Sequence, residues 1–304
     1  MISTEEKYLV VVNPVGRGGH AQRQGIWLLD RFRRMGIDHE ALFTEKGGHA
    51  RELVCNWADR IDVVVAVGGD GTVNEVINGI MTSRNRDCVL AVLPSGTADD
   101  FARNMGIPRE KEKALKVLLG DSEKKIDLML VNGERYASVT VGMGLDAEIA
   151  YRAYGSKHLR LLAYWYHGLS MIFKPIRTPR MRVKVAGNTF EGECFLAVAA
   201  NARSYGRYMK MIPQAKMDDG IINMVFFEPL SKAKALLLFA MSMFGGHTWA
   251  SEMSQYEDTE IVIECLEDFF AQFDGEVMTF KAGERLEMKV EPQALRVRAP
   301  TEGR

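Results

Sequence analysis

The chain has 304 residues, above the size at which a single core tends to divide, so two domains are expected. A 47% hydrophobic and 26% charged composition excludes a disordered chain, and a net charge of -1 provides no global basic field for nucleic acid. Cys55, Cys88, Cys194 and Cys265 are scattered without a C-x-x-C pair, which excludes a disulfide framework or zinc site and fits the cytoplasm.

Taken in chain order, residues 1–8 are polar and carry Glu5 and Glu6, which predicts no secretory signal. The apolar run 8–12 leads into 13–19, with Arg17 and three glycines, and then into a helix expected over 21–35. The run 62–67 enters Gly68-Gly69-Asp70-Gly71, followed by a helix over 73–81. The run 89–93 leads to Pro94-Ser95-Gly96-Thr97 and a helix carrying Phe101 and Ala102. Continuous apolar strands are buried on both faces, the sign of a parallel sheet covered by helices, so this half reads as a doubly wound α/β domain.

Beyond residue 127 strand-like runs dominate, at 136–141, 181–186, 189–199, 221–227, 259–265, 269–273 and 285–290. Gly187-Asn188 reads as a hairpin turn, and helices are expected near 146–153, 157–173 and 231–244. This half reads as an antiparallel β domain with a few helices. The run 235–244 is the longest candidate for a membrane span, about half of the ~20 apolar residues a spanning helix needs. It is too short to cross a membrane, though the protein can touch one.

Gly68-Gly69-Asp70-Gly71-Thr72 is the sharpest motif. Its glycines let the main chain approach a ligand, and amides leading into a helix form a site for phosphate oxygens. The plainer explanation is a tight turn in which Thr72 and Glu75 form a capping box. Asp70 favours a ligand, because a carboxylate in an anion-binding loop is repelled unless Mg²⁺ lies between it and the phosphates. Asn13 to Gly19 and Ser95-Gly96-Thr97 are expected at the same carboxyl edge of the sheet, offering glycines and hydroxyls. No G-x-x-x-x-G-K-S/T and no G-x-G-x-x-G follows these strands, which disfavours Walker-type and dinucleotide-binding readings.

These loops resemble the diacylglycerol kinase catalytic domain family of bacterial lipid, sphingosine and ceramide kinases. The matching segments are Val12-Asn13-Pro14, 67–75, 93–103, 216–220 and Asp274-Gly275-Glu276. The resemblance implies an α/β nucleotide domain, 1–130, joined by about 296–304, and a β-sandwich lipid-substrate domain, 131–295, with the active site in the cleft between them. It implies ATP contacts at Asn13, Thr44, Gly68, Gly69, Asp70, Gly71, Thr72, Asn74, Glu75, Ser95, Gly96 and Thr97. Asp274 or Glu276 matches the family's acid pair, with Glu276 as proton acceptor and Asp127 supporting the pair. A structural Mg²⁺ maps onto Asp219 and main-chain oxygens of Lys216 and Ile221. Asp99 departs from the family's G-T-(A/G)-N-D-F; its carboxylate implies a metal contact, another nucleotide pose or weaker ATP binding.

The chemistry expected is ATP- and Mg-dependent phosphorylation of a lipid hydroxyl. Phosphoryl transfer needs positioning, charge neutralisation and a base, which Asp274-Gly275-Glu276 can supply, although D-G is also a hairpin turn. Asp218-Asp219-Gly220 is equally a turn. His158, His167 and His247 read as surface or packing residues. The mixture of Leu, Trp, Lys and Arg over 157–182 suits an anionic membrane interface on the inner face, or an amphipathic helix packed on its own domain. The alternatives are an NAD kinase, which shares the G-G-D-G-T turn but not the sequence at 94–101, and a non-catalytic nucleotide or lipid sensor. A second copy of the chain is a candidate partner.

Overall fold

The computed structural model describes residues 6–154, 177–206 and 209–301. The chain divides into two compact units, Met1–Ile126 with Gln293–Arg304, and Asp127–Pro292. The 157–173 helix and most of the 157–182 surface, with His158 and His167, lie outside the described residues.

In the first unit β1 (Tyr8–Val12), β2 (His39–Phe43), β3 (Val63–Gly68) and β4 (Val89–Pro94) form a parallel sheet in the order β2-β1-β3-β4. The last residues of β16 (Arg285–Arg298) extend it, with Arg296 beside Val89. β1, β3 and β4 are buried along their whole length because helices cover both faces. β2 is the edge strand and keeps polar residues on view. Leu28 and Phe32 of α1 (His20–Met35) and Leu118 of α5 (Lys111–Leu118) pack on Val10, Val65 and Ala91. Each such side chain contributes about 1.5–3 kcal/mol. The returning strand is tied down by Arg298, only 3% exposed, which pairs with Glu6 and meets Glu123 at 3.0 Å.

The second unit is a sandwich of antiparallel sheets. One holds the first part of β16, β13 (Glu260–Cys265), β8 (Arg180–Val185) and β9 (Asn188–Glu193), joined at β16 by β5 (Glu123–Val131) and its partner β6 (Arg135–Ala137). The other runs β12 (Met253–Asp258), β11 (Ile222–Phe227), β10 (Leu196–Ala200), β7 (Thr140–Gly144), β14 (Phe269–Phe273), β15 (Glu276–Phe280). Val183, Ile263 and Met288 of the first sheet meet Met143, Ala199, Phe226 and Phe273 of the second in one apolar core. α6 (Leu145–Tyr154) and α7 (Lys232–Ser242) complete the described helices of this unit.

Three sequence expectations are corrected. The run 189–199 is two strands, because the chain leaves β8 in one sheet and joins β11 and β7 in the other. The run 136–141 is likewise divided between β6 and β7. The β8–β9 turn is Ala186-Gly187 rather than Gly187-Asn188; both residues have positive φ, 51° and 72°, and Val185 pairs with Asn188.

Candidate functional site

The register of the parallel sheet brings the first-unit loops to one edge. Asn13 N donates to Val67 O, Thr44 N to Val12 O and Ser95 N to Gly68 O, at 3.1, 2.9 and 2.9 Å. All follow the carboxyl ends of their strands, where open α/β sheets bind ligands. Asn13 Nδ2 donates to Thr72 Oγ1 at 3.1 Å, while Asn13 Oδ1 is buried without a partner. Gly69 and Gly96 are in backbone contact: a Cβ on Gly96 would lie 2.4 Å from Gly69 Cα. A Cβ on Gly68 would lie 2.4 Å from Thr72 Oγ1. Loop packing therefore explains these three glycines. It does not explain Gly71, which is exposed and whose added Cβ would meet nothing within 4 Å.

The capping box of the plainer explanation does not form. α3 (Asp70–Thr82) begins inside the motif with Gly69 as N-cap and no side-chain cap, so its first-turn amides are left to another acceptor. Thr72 lies within the helix, and the Glu75 carboxylate accepts from Gly48 N at 2.9 Å and Ala50 N at 3.0 Å. Glu75 thereby anchors the start of α2 (His49–Trp57). Asn74 is buried and its Oδ1 accepts from Asn78 Nδ2 at 3.1 Å. Ser95 Oγ is turned inward onto Leu93 O, so of the two expected hydroxyls Thr97 is the more accessible. Asp70 Oδ1 accepts from Phe101 N at 3.0 Å, within the first turn of α4 (Asp100–Asn104). The charge of Asp70 thus has a protein partner, which weakens the inference that it requires Mg²⁺.

Asp99 has φ 52° and is 4% exposed. Its Oδ1 accepts from Gly96 N at 2.7 Å, and its Oδ2 is 2.8 Å from Arg109 Nη2, an ion contact without aligned hydrogen-bond geometry. Arg109 Nη2 also donates to Gly96 O at 2.8 Å. Burial pushes the Asp99 carboxyl above the ordinary range, opposed by Arg109 and the Gly96 amide. His20 is held below its usual value by burial and then by Arg17 and Arg23, with Asp99 acting in the opposite sense. Arg109 had no motif to reveal it; only the folded loop shows it as the counter-charge of Asp99.

In the second unit Asp274-Gly275 is a two-residue hairpin turn, with φ 47° and 90°, that pairs Phe273 with Glu276. Asp274 Oδ2 accepts from Ser138 N and Oγ at 2.7 and 2.9 Å, and Oδ1 from Val139 N and Thr140 N at 2.9 Å each. Four donors fill this carboxylate and hold the turn against residues 138–140. The Glu276 side chain is 40% exposed, and its Oε2 meets Arg135 Nη2 at 2.9 Å. Gln272 Oε1 accepts from Gly275 N at 2.7 Å, and its Nε2 donates to Asp146 Oδ2 at 2.8 Å. Gly142 makes room for Asp146, whose Oδ2 would be 1.8 Å from a Cβ there.

Asp127 is fully buried; its Oδ2 accepts from Gly220 N at 2.6 Å and its main-chain N donates to Met217 O at 2.7 Å. It therefore anchors the Asp218-Asp219-Gly220 turn directly, and reaches Asp274 through Asn201. Asn201 Nδ2 donates to Asp127 O and Ser138 O, and Ser138 donates to Asp274. Asp219 is exposed with Oδ1 accepting from Ile221 N at 3.2 Å. Oxygen donors of this kind fit a hard cation such as Mg²⁺. No cluster of three or more His, Cys, Asp or Glu suited to a metal occurs among the described residues.

Comparison with known proteins finds a family match in each half of the chain. The diacylglycerol kinase catalytic domain family matches residues 7–131, and the YegS C-terminal NAD kinase beta sandwich-like domain family matches residues 139–299. A Staphylococcus aureus (strain bovine RF122 / ET3-1) diacylglycerol kinase is 30% identical over 271 residues, 88% of this chain and 85% of the relative. A Bacillus subtilis (strain 168) diacylglycerol kinase is 28% identical over 279 residues, 90% of this chain and 91% of the relative. The crystal structure of a candidate diacylglycerol kinase from Bacillus anthracis strain Sterne superposes with TM-score 0.78 at 24% identity, covering 97% of each chain, a likeness of fold. The first-unit match coincides with the glycine-bearing carboxyl edge and the second with the sandwich that carries Asp274 and Glu276: this chain belongs to the diacylglycerol kinase family and is a lipid kinase.

Proposed function

We propose that this kinase transfers the γ-phosphoryl group of ATP to the hydroxyl of diacylglycerol or a related lipid alcohol. The observation that carries the nucleotide half is Asn13 Oδ1, a buried carbonyl oxygen without a donor, beside the uncapped first turn of α3. A ribose hydroxyl, a base amino group or a metal-bound water supplies the missing donor, and first-turn amides suit phosphate oxygens. Mg²⁺, when bound, offsets the charge of the triphosphate; the Asp219 turn would hold the structural ion. Diacylglycerol as acceptor is supported by the relatives, which are diacylglycerol kinases.

Glu276 is the proposed proton acceptor because its carboxylate is partly exposed and oriented by Arg135, whereas Asp274 is filled by backbone donors. It takes the proton as the acceptor oxygen forms its bond to the γ-phosphorus and the bond to the β-phosphate oxygen breaks, releasing ADP. Incubation with γ-labelled ATP and diacylglycerol should place label in an organic-soluble product. Glu276→Gln should lower turnover roughly 10²–10⁴-fold while ATP affinity stays within about twofold. Label confined to water-soluble products, or a fully active Glu276→Gln enzyme, contradicts the reading.

A further inference from the structure

Helix α7 turns toward solvent a face that globular helices bury. Residues 235–244 contain no charge, and their one hydroxyl, Ser242 Oγ, points inward and donates to Phe239 O at 2.7 Å. Ala235, Leu238 and Ser242 form the buried side. Ala233, Leu236, Leu237, Ala240, Met243 and Phe244 are all exposed. Leu237 is 58% exposed, Phe244 83%, and Trp249, at the end of the short turn Gly246–Trp249, 91%. Lysines border this surface at both ends. Lys232 is exposed at the start of α7, and exposed Lys210 adjoins its end through Lys210 N donating to Ser242 O at 2.9 Å. The neighbouring carboxylate of Glu252 is paired with Lys234.

We propose that the outward face of α7, with Trp249, is a membrane-docking surface that seats the kinase on the headgroup–acyl boundary of an anionic bilayer. An apolar helix face with lysines at its borders and a tryptophan at its edge matches that boundary in polarity and charge. The stretch is too short to span, and no described helix is long and apolar enough to cross a membrane, so it lies along the surface. The proposal rests on the acceptor being a bilayer lipid, which gives the enzyme a reason to reside there.

Sedimentation of the full chain with phosphatidylglycerol–phosphatidylcholine vesicles lacking any acceptor lipid tests it. The wild type should sediment with the vesicles, and a combined Leu237→Ser, Phe244→Ser and Trp249→Ser variant should bind at least roughly tenfold more weakly. That variant should still phosphorylate a short-chain acceptor dissolved as monomers at the wild-type rate. Acyl chains brominated near the headgroup should quench tryptophan emission, and Trp249→Phe, a mild surface change, should remove part of the quenching. Wild-type protein that ignores vesicles, a triple variant that binds unchanged, or quenching indifferent to Trp249→Phe overturns the proposal. So does a wild-type dimer that the triple variant splits into monomers, which assigns the face to a second copy. Vesicle binding without phosphorylation of any lipid leaves the docking surface standing and removes the acceptor reading.

Discussion

At the carboxyl edge of the first unit, polar demand is left open: Asn13 Oδ1 is buried without a donor, α3 has no side-chain cap and Gly71 faces solvent. At the acidic turns of the second unit the carboxylates are occupied, Asp274 by four hydrogen bonds and Asp127 by the Gly220 amide, although Oδ1 of the bridging Asn201 is also buried without a partner. The contrast separates two uses of turn residues that look alike in sequence. A carboxylate filled by backbone donors holds the chain, whereas an unfilled buried acceptor beside an uncapped helix start leaves room for a ligand to supply the donor. Glu276, two residues beyond Asp274, differs from both: it is partly exposed and paired with Arg135.

The largest effect is expected where the saturated anchor is removed. Asp274→Ala leaves the Ser138, Val139 and Thr140 amides without their acceptor and should cost about 3–5 kcal/mol of unfolding free energy. The shift of the urea midpoint, at unchanged slope, measures it. Arg109→Gln comes next: it leaves the buried Asp99 carboxylate without its counter-charge, for about 1–2 kcal/mol because Arg109 is itself 39% exposed. Adding Asp99→Asn to Arg109→Gln should recover part of that loss. A double variant no more stable than the single one would show that the pair is not coupled.

Gly71→Ala sharpens the contrast from the open side. Alanine is the better helix residue by about 0.5–1 kcal/mol, and its methyl group meets nothing within 4 Å. Thermal stability should rise slightly while ATP affinity, by calorimetry, falls by roughly tenfold as the methyl group crowds the phosphate position. Affinity unchanged would place the triphosphate elsewhere.

Which parts of this were legible in sequence follows from where the residues sit. β1, β3 and β4 are buried on both faces and announce themselves as unbroken apolar runs. β2, His39-Glu40-Ala41-Leu42-Phe43, is an edge strand whose polar residues conceal it, and β12 is hidden in the same way by exposed Ser254, Gln255 and Glu257. β16 continues well past the run 285–290, because Pro292 and Gln293, the latter with φ 50°, break the pattern without ending the strand. At the site, the glycine motif was visible because glycines clustered after an apolar strand mark a close backbone approach, here Gly69 against Gly96. Arg135, Asp146, Asn201 and Gln272 were not, since their partners come from distant segments that only the fold brings together. The α7 surface was visible as an apolar run at 235–244, but only the folded helix shows that its apolar face is turned outward.

The smallest expected effect concerns a buried polar group with one side filled and one empty. His247 is 1% exposed and Nε2 lies 2.9 Å from Met211 O; a carbonyl only accepts, so the proton sits on Nε2 and Nδ1 keeps its lone pair. Nδ1 is buried without a partner, and protonating it would place a charge and an unsatisfied N–H in the core. Burial accordingly holds this imidazole below its ordinary value, against the raising effect of the Met211 carbonyl. The unfolded chain takes up the proton near pH 6.5 and the native one only at lower pH, so the unfolded state binds more protons in between. Stability is therefore complete above about pH 6.5 and declines as pH falls toward the native value. His247→Gln, which can still donate to Met211 O, should flatten that decline in thermal melts between about pH 7 and 5, with His20 contributing what remains. Equal slopes for variant and wild type would mean that Nδ1 finds an acceptor on protonation and that the site is not dry.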